Sequence, residues 1–278
     1  MSDEMQILRA DRRRRRRRRR RSGEARRGLY LLPQLFTTGN LFFGFFAIVQ
    51  AIGGHYDRAA LGIALATLCD ALDGRVARLS HATSRFGVEY DSLADMVSFG
   101  VAPALLAFQA GQLVALRRAG WVMAFLYCAC AALRLARFNV HQSRYKGRFE
   151  GLPSPAAAGM VASTQWFVSL LREEGGVPVH VPEALVAVGL AALGLLMVSA
   201  VPYRSFKEID LRHPQRVVVL MVLVLAVVIQ EPYVSLFAIA LGYVLSGPAE
   251  WAWRALAGRQ LEELPEPAAG EPPQETTP

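Results

Sequence analysis

The chain has 278 residues, of which 53% are apolar, and its mean hydropathy of +0.26 is high for a soluble protein. Several apolar runs approach the roughly 20 residues that cross a bilayer, so the composition indicates a polytopic membrane protein. The net charge of +8 does not describe a nucleic-acid-binding domain: residues 1–28 hold 13 arginines against four acids, a net +9, and the remainder is close to neutral.

Arg12 to Arg21 form an unbroken basic run. Such a block repels itself, and residues 1–28 are expected to be a disordered cytoplasmic tail drawn to anionic membrane lipids. It has no interleaved aromatics, so no nucleic-acid partner is expected. The next apolar stretch is long and lacks a small-residue cleavage site, which argues against a signal peptide.

The predicted spans run from about Leu32 to Ile52, Arg58 to Leu79, Phe86 to Leu116, Trp121 to Phe138, Ser154 to Leu171, Pro182 to Val201, Val217 to Ile229 and Pro232 to Gly247. The fold class is therefore all-α, with about eight transmembrane helices in a domain of residues 29–250. The seventh is the weakest, because 13 residues reach only about 20 Å. Residues 251–278 make a second tail, rich in Pro and Glu and expected to be disordered toward its end. Cys69, Cys128 and Cys130 all fall in apolar sequence and read as buried thiols.

The distribution of Lys and Arg sets the orientation. The basic tail, the loop near Arg78 and Arg85, the loop with Arg144, Lys146 and Arg148, and the loop with Arg204, Lys207, Arg212 and Arg216 all fall on one side. That side is the cytoplasm of an inner membrane, and both termini lie there. Arg117-Arg118 is the exception.

From the end of the second span into the start of the third runs Asp70 to Asp95, DALDGRVARLSHATSRFGVEYDSLAD. Asp70 and Asp73 are three apart and Asp91 and Asp95 four apart, steps that return side chains to one face of a helix. Carboxylates entering a bilayer are costly and mark polar or ion-binding sites. Two helices facing each other with paired carboxylates offer an oxygen-rich pocket for hard divalent cations, which suits a pyrophosphate substrate. Gly74 and Gly87 clear space for a headgroup near the backbone. Arg78 is placed to hold a phosphate oxygen and Asp95 to accept a hydroxyl proton.

The pattern D-x2-D-G-x2-A-R-x8-G-x3-D-x3-D resembles the signature of the CDP-alcohol phosphatidyltransferase family at eight fixed positions over 26 residues. The resemblance implies a six-helix core, usually paired as a homodimer. It implies Asp70, Asp73 and Asp91 as metal ligands for Mg2+ or Mn2+, with Asp95 contributing to the second ion and serving as general base. Gly74, Arg78 and Gly87 would line the CDP site, and the leaving product would be CMP.

Three further stretches resemble the branch of that family that joins CDP-diacylglycerol to L-serine. They are the continuation of the signature through Met96-Val97-Ser98-Phe99-Gly100-Val101-Ala102-Pro103-Ala104, then Leu133 to Asn139, then Phe149 to Ala156. Arg134 or Arg137, at the cytoplasmic end of the fourth span, is a candidate for the serine carboxylate; snorkelling to headgroups is the plainer reading. Asn40 interrupts an apolar helix and is a candidate contact of the CDP-lipid or a partner of a neighbouring helix. His81, His141 and His213 read as bystanders. Pro153 and Pro155 set the start of the fifth span.

Two alternatives stay open at this stage. The same chemistry with glycerol 3-phosphate or an inositol phosphate would also welcome arginine. A cation channel or transporter would use the four carboxylates as an ion path, but would need polar groups beyond them, where Leu61 to Leu68 is apolar.

Overall fold

The structure is a computed structural model that describes residues 34–80, 84–140, 148–174, 181–204 and 226–257. The arginine run, His81, His141, His213, residues 217–225 of the seventh predicted span and the C-terminal residues from 258 lie outside the described residues.

Helix α1 (Gln34–Ile52) is apolar on its outside and polar or small on its inside. Thr37, Asn40, Gly44, Ala47 and Ala51 are buried at steps of three and four, while Leu35, Phe42, Phe45, Val49 and Ile52 are exposed. That is the reverse of a soluble amphipathic helix. It is the arrangement lipid selects, with large side chains facing acyl chains and small ones letting backbones approach.

A turn with Gly54 at φ +76° leads into α2 (Tyr56–Ser80). Its middle packs Ala59, Ala60, Ile63 and Ala66 against Ala47 and Ala51 of α1, with Ala158 and Ala162 in the same cluster. Small side chains thus line the contact between helices here.

The third predicted span is a rod from Arg85 to Ala110 built in three pieces. Helix α3 (Arg85–Asp95) starts at Ser84, whose Oγ accepts the Gly87 N–H at 3.0 Å, an ordinary N-cap. One π-helical turn, Met96–Val101, follows, then α4 (Ala102–Ala110). The span stops at Gly111, earlier than its predicted end at Leu116. Gln112 and Arg117 both take φ +52°, and a 3-10 turn, Leu113–Leu116, runs between them.

Helix α5 (Arg118–Val140) carries Tyr127 into the second core cluster, where Leu113, Leu152, Leu190, Met197 and Tyr203 meet. Helix α6 (Ser154–Glu174) begins on Pro153, whose carbonyl accepts both the Ala156 and Ala157 N–H at 3.0 Å. Helix α7 (Glu183–Val198) packs along α5. The final helix, α8 (Pro232–Ala257), runs ten residues past the predicted end at Gly247, through Pro248.

A two-stranded antiparallel ribbon ties the loops at one end of the bundle. Strand β1 (Arg148–Glu150) pairs with β2 (Pro202–Arg204), Phe149 opposite Tyr203. Gly151 leaves the ribbon at φ +72°, and a Cβ there would sit 2.3 Å from the Met197 carbonyl oxygen, so glycine is required. Tyr203 wedges against Gly247 and donates its hydroxyl to the Val244 carbonyl at 2.9 Å. Burial and the neighbouring Tyr243 push its phenol up to about 12, which keeps it a donor.

The chain is an all-α polytopic membrane protein. By length and apolar composition, Gln34–Ile52, Arg85–Ala110, Arg118–Val140 and Pro232–Ala257 can cross a bilayer. Glu183–Val198 is a shorter apolar helix. Helix α2 is long enough but carries Asp57, Arg58, Asp70, Asp73, Arg75 and Arg78. The three cysteines are free; Cys130 is buried, whereas Cys69 and Cys128 are half-buried.

Candidate active site

Asp70 and Asp73 lie in the second half of α2, and Asp91 and Asp95 lie in the second half of α3. Carboxylate oxygens of Asp70, Asp91 and Asp95 come within 4.8 Å of one another. Asp73 stands at the edge of this trio, within electrostatic reach of Asp70 and Asp91. It is 4% exposed, and its Oδ2 accepts the Thr37 hydroxyl at 3.1 Å. The four aspartates of the signature thus converge from two helices, with three drawn tightly together and the fourth fastened to α1.

Helix α1 supplies the back wall. The buried Asn40 donates from Nδ2 to Asp95 Oδ1 at 2.8 Å, and its own backbone carbonyl accepts the Ser98 hydroxyl at 2.9 Å. Asn40, weighed from the sequence as a CDP-lipid contact, is thus placed against Asp95. Tyr90 and Thr38 share a hydrogen bond of 3.1 Å at the rim, and Phe86 stacks on Tyr90 with ring centroids 5.9 Å apart.

A divalent cation fits the residues present. Three carboxylates packed this closely repel one another in a poorly solvated site. Asp91 Oδ1 is buried and has no hydrogen-bond partner. A buried acceptor left without a donor is destabilising, and a hard cation is the group that three converging carboxylates suit. The oxygen-only donor set is that of magnesium, calcium or manganese rather than of a thiolate-seeking metal.

The two glycines of the signature differ in their surroundings. Among the described residues, a Cβ added at Gly74 would meet nothing within 4 Å, so none of them covers the backbone there. Gly87 differs: a Cβ would lie 3.2 Å from Ser84 Oγ, and its N–H is occupied by the cap. The Arg78 side chain lies outside what is described.

Arg134 and Arg137 are engaged elsewhere. Arg134 Nη1 donates to the carbonyls of Glu150 at 3.0 Å and Met197 at 3.4 Å. Arg137 pairs with the Glu150 carboxylate and donates to the Val198 carbonyl at 3.4 Å. Both arginines therefore hold β1 and the end of α7 onto α5. The residue of this stretch that reaches α3 is Asn139, which donates to Ser92 Oγ at 2.8 Å, one residue from Asp91.

Thr37 and Asn139 were not singled out from the sequence. Thr37 was detectable, since it lies three residues before Asn40 on the same helix face. Asn139 closes the stretch Leu133 to Asn139 noted above, but its contact could not be read there, because its partner is 47 residues away.

A family model for CDP-alcohol phosphatidyltransferase matches residues 30–246. A Helicobacter pylori protein named CDP-diacylglycerol–serine O-phosphatidyltransferase is 35% identical over 225 residues, 80% of this chain and 92% of that one. A Mycobacterium bovis protein of the same name is 33% identical over 238 residues, 80% of this chain and 79% of its own. An archaetidylserine synthase of Methanothermobacter thermautotrophicus is 40% identical over 134 residues, 48% of this chain and 56% of its own. With the matched region covering most of the chain and enclosing every helix that supplies the carboxylate site, this protein belongs to the CDP-alcohol phosphatidyltransferase family.

Proposed function

We propose that the protein transfers the phosphatidyl group of CDP-diacylglycerol to the hydroxyl of L-serine, giving phosphatidylserine and CMP. The observation that carries this reading is the convergence of Asp70, Asp91 and Asp95. The names of the relatives support serine as the acceptor.

In this reading Asp70, Asp73 and Asp91 hold divalent ions, Mg2+ or Mn2+, with Asp95 sharing the second. Bound ions would supply charge neutralisation for the diphosphate. Asp95 accepts the proton of the serine hydroxyl, and the serine oxygen forms its bond to the diacylglycerol-linked phosphorus as the bond to CMP breaks. Gly74 and Gly87 let the CDP moiety approach the helices, and Arg78 meets a phosphate oxygen.

Of the two arginines considered for the serine carboxylate, Arg137 is the more accessible, with 41% of its side chain exposed. In that role Arg137 would exchange its Glu150 carboxylate partner for the carboxylate of serine, while Arg134 supports the ribbon. The site opens toward the cytoplasm, both termini lie on that side of the inner membrane, and two copies pair as a homodimer. The distribution of positive charge supports the sidedness.

Release of CMP from CDP-diacylglycerol by the purified chain, on adding L-serine, glycerol 3-phosphate or an inositol phosphate in turn, tests the reading. Release with serine alone, together with phosphatidylserine in the lipid extract, is expected. Release with another acceptor and not with serine would reassign the substrate, and release with none of them would remove the transferase reading.

A further inference from the structure

We propose that Asn40 is a positioning residue that holds the Asp95 carboxylate in a single orientation, rather than a contact of the CDP-lipid. The inference deepens the proposed transferase reading and rests on it for the role of Asp95.

The grip has three parts. The Asn40 side chain donates to Asp95 Oδ1 at 2.8 Å. The Asn40 backbone carbonyl takes the hydroxyl of Ser98, which lies in the π turn that begins directly after Asp95. One turn along α1, Gly44 meets the same serine so closely that an added Cβ would stand 2.2 Å from Ser98 Oγ and 2.8 Å from its Cα. Helix α1 therefore grasps Asp95 itself and, three residues on, the π turn that follows it, and only a glycine at 44 permits the approach.

An ionised Asp95 can only accept hydrogen bonds, so the Asn40 amide must present its NH2 to it. The amide oxygen is then turned away, and it is buried with no partner. An acceptor stranded in that way is destabilising, which a residue serving packing alone would avoid. The terminal torsion of an aspartate is soft, so an unheld carboxylate swings about it. Held at Oδ1, the group has its second oxygen directed one way only.

The wild type, Asn40→Ala and Asn40→Leu (close to the same shape without the amide or any charge) are purified and compared for kcat, KM for serine, CDP-diacylglycerol affinity, melting temperature and Mn2+ affinity without substrate. Both variants are expected to lose roughly 10–100-fold in kcat, as misplaced catalytic groups do, with KM and CDP-lipid affinity unchanged. Mn2+ affinity is expected to fall by about 10–100-fold, the usual effect of removing a group that orients a ligand.

Retained kcat with weakened CDP-lipid binding would overturn the inference in favour of a donor contact. A lower melting temperature with kcat and Mn2+ affinity intact would overturn it in favour of packing. Should the Asn40 variants not fold, Ser98→Ala removes the other hold: a smaller fall in kcat at unchanged lipid affinity supports the inference, and unchanged kcat overturns it. An inactive wild type would defeat the parent reading, while the Mn2+ comparison would still decide whether Asn40 orients Asp95.

Discussion

At the scale of single residues, the site separates groups that share chemistry but not surroundings. Asp95 is buried and held by Asn40, Asp73 is held by Thr37, and Asp91 keeps a buried oxygen without a partner. Asp95→Asn keeps the shape of the side chain and removes the proton acceptor. Turnover in a CMP-release assay is expected to disappear while the folded protein still binds CDP-diacylglycerol; substantial residual turnover would remove the base assignment. Chelation of divalent ions is expected to stop CMP release, and added Mg2+ or Mn2+ to restore it. Full activity in chelator would contradict the reading of the trio as a metal site. Thr37→Val, which removes only the hydroxyl, is expected to lower activity less than Asp73→Ala, because it frees the carboxylate without deleting it.

At the scale of elements, small residues bring α1 against α2 and α3, and the π turn reshapes the rod after Asp95. Gly44→Leu would force a side chain into Ser98 and the backbone behind it, where there is no space. Overpacking of this kind costs about 1–3 kcal/mol, and more where backbone must move. A lower melting temperature and lost turnover are expected together, in contrast to Asn40→Ala, which is expected to lose kcat and Mn2+ affinity while keeping its affinity for the CDP-lipid. The sequence showed where α1, α2, α5 and α6 lie because a continuous apolar run is a local property. It did not show the π turn, since that turn depends on how α3 meets α1 and α5: Tyr127 of α5 donates to the Phe99 carbonyl inside it at 3.1 Å.

At the scale of the molecule, two core clusters divide the labour. The alanine-rich one packs α1, α2 and α6 behind the carboxylates; the other joins α5, α7, α8 and the ribbon. Arg134 links ribbon, α5 and α7 through two carbonyls. Hydrogen bonds from a charged donor are worth about 1.5–3 kcal/mol, so Arg134→Met is expected to lower the thermal midpoint in detergent. Its KM for serine should stay close to that of the wild type. A raised KM with an unchanged midpoint would return Arg134 to the acceptor site.

What the sequence determined by itself was the class of protein, the boundaries of most helices and the pairing of aspartates on shared faces. Each depends on composition or on spacing within one helix, where the periodicity of about 3.6 residues leaves little freedom. Which carboxylates meet was decided by tertiary structure, because the crossing of α2 and α3 fixes the phase of one helix against the other. That crossing draws Asp70, Asp91 and Asp95 together and leaves Asp73 to Thr37. The partners of Asn40, Arg134 and Arg137 were decided in the same way. A buried amide or guanidinium takes whichever acceptors the packed helices bring within reach, and those lie up to 63 residues away along the chain.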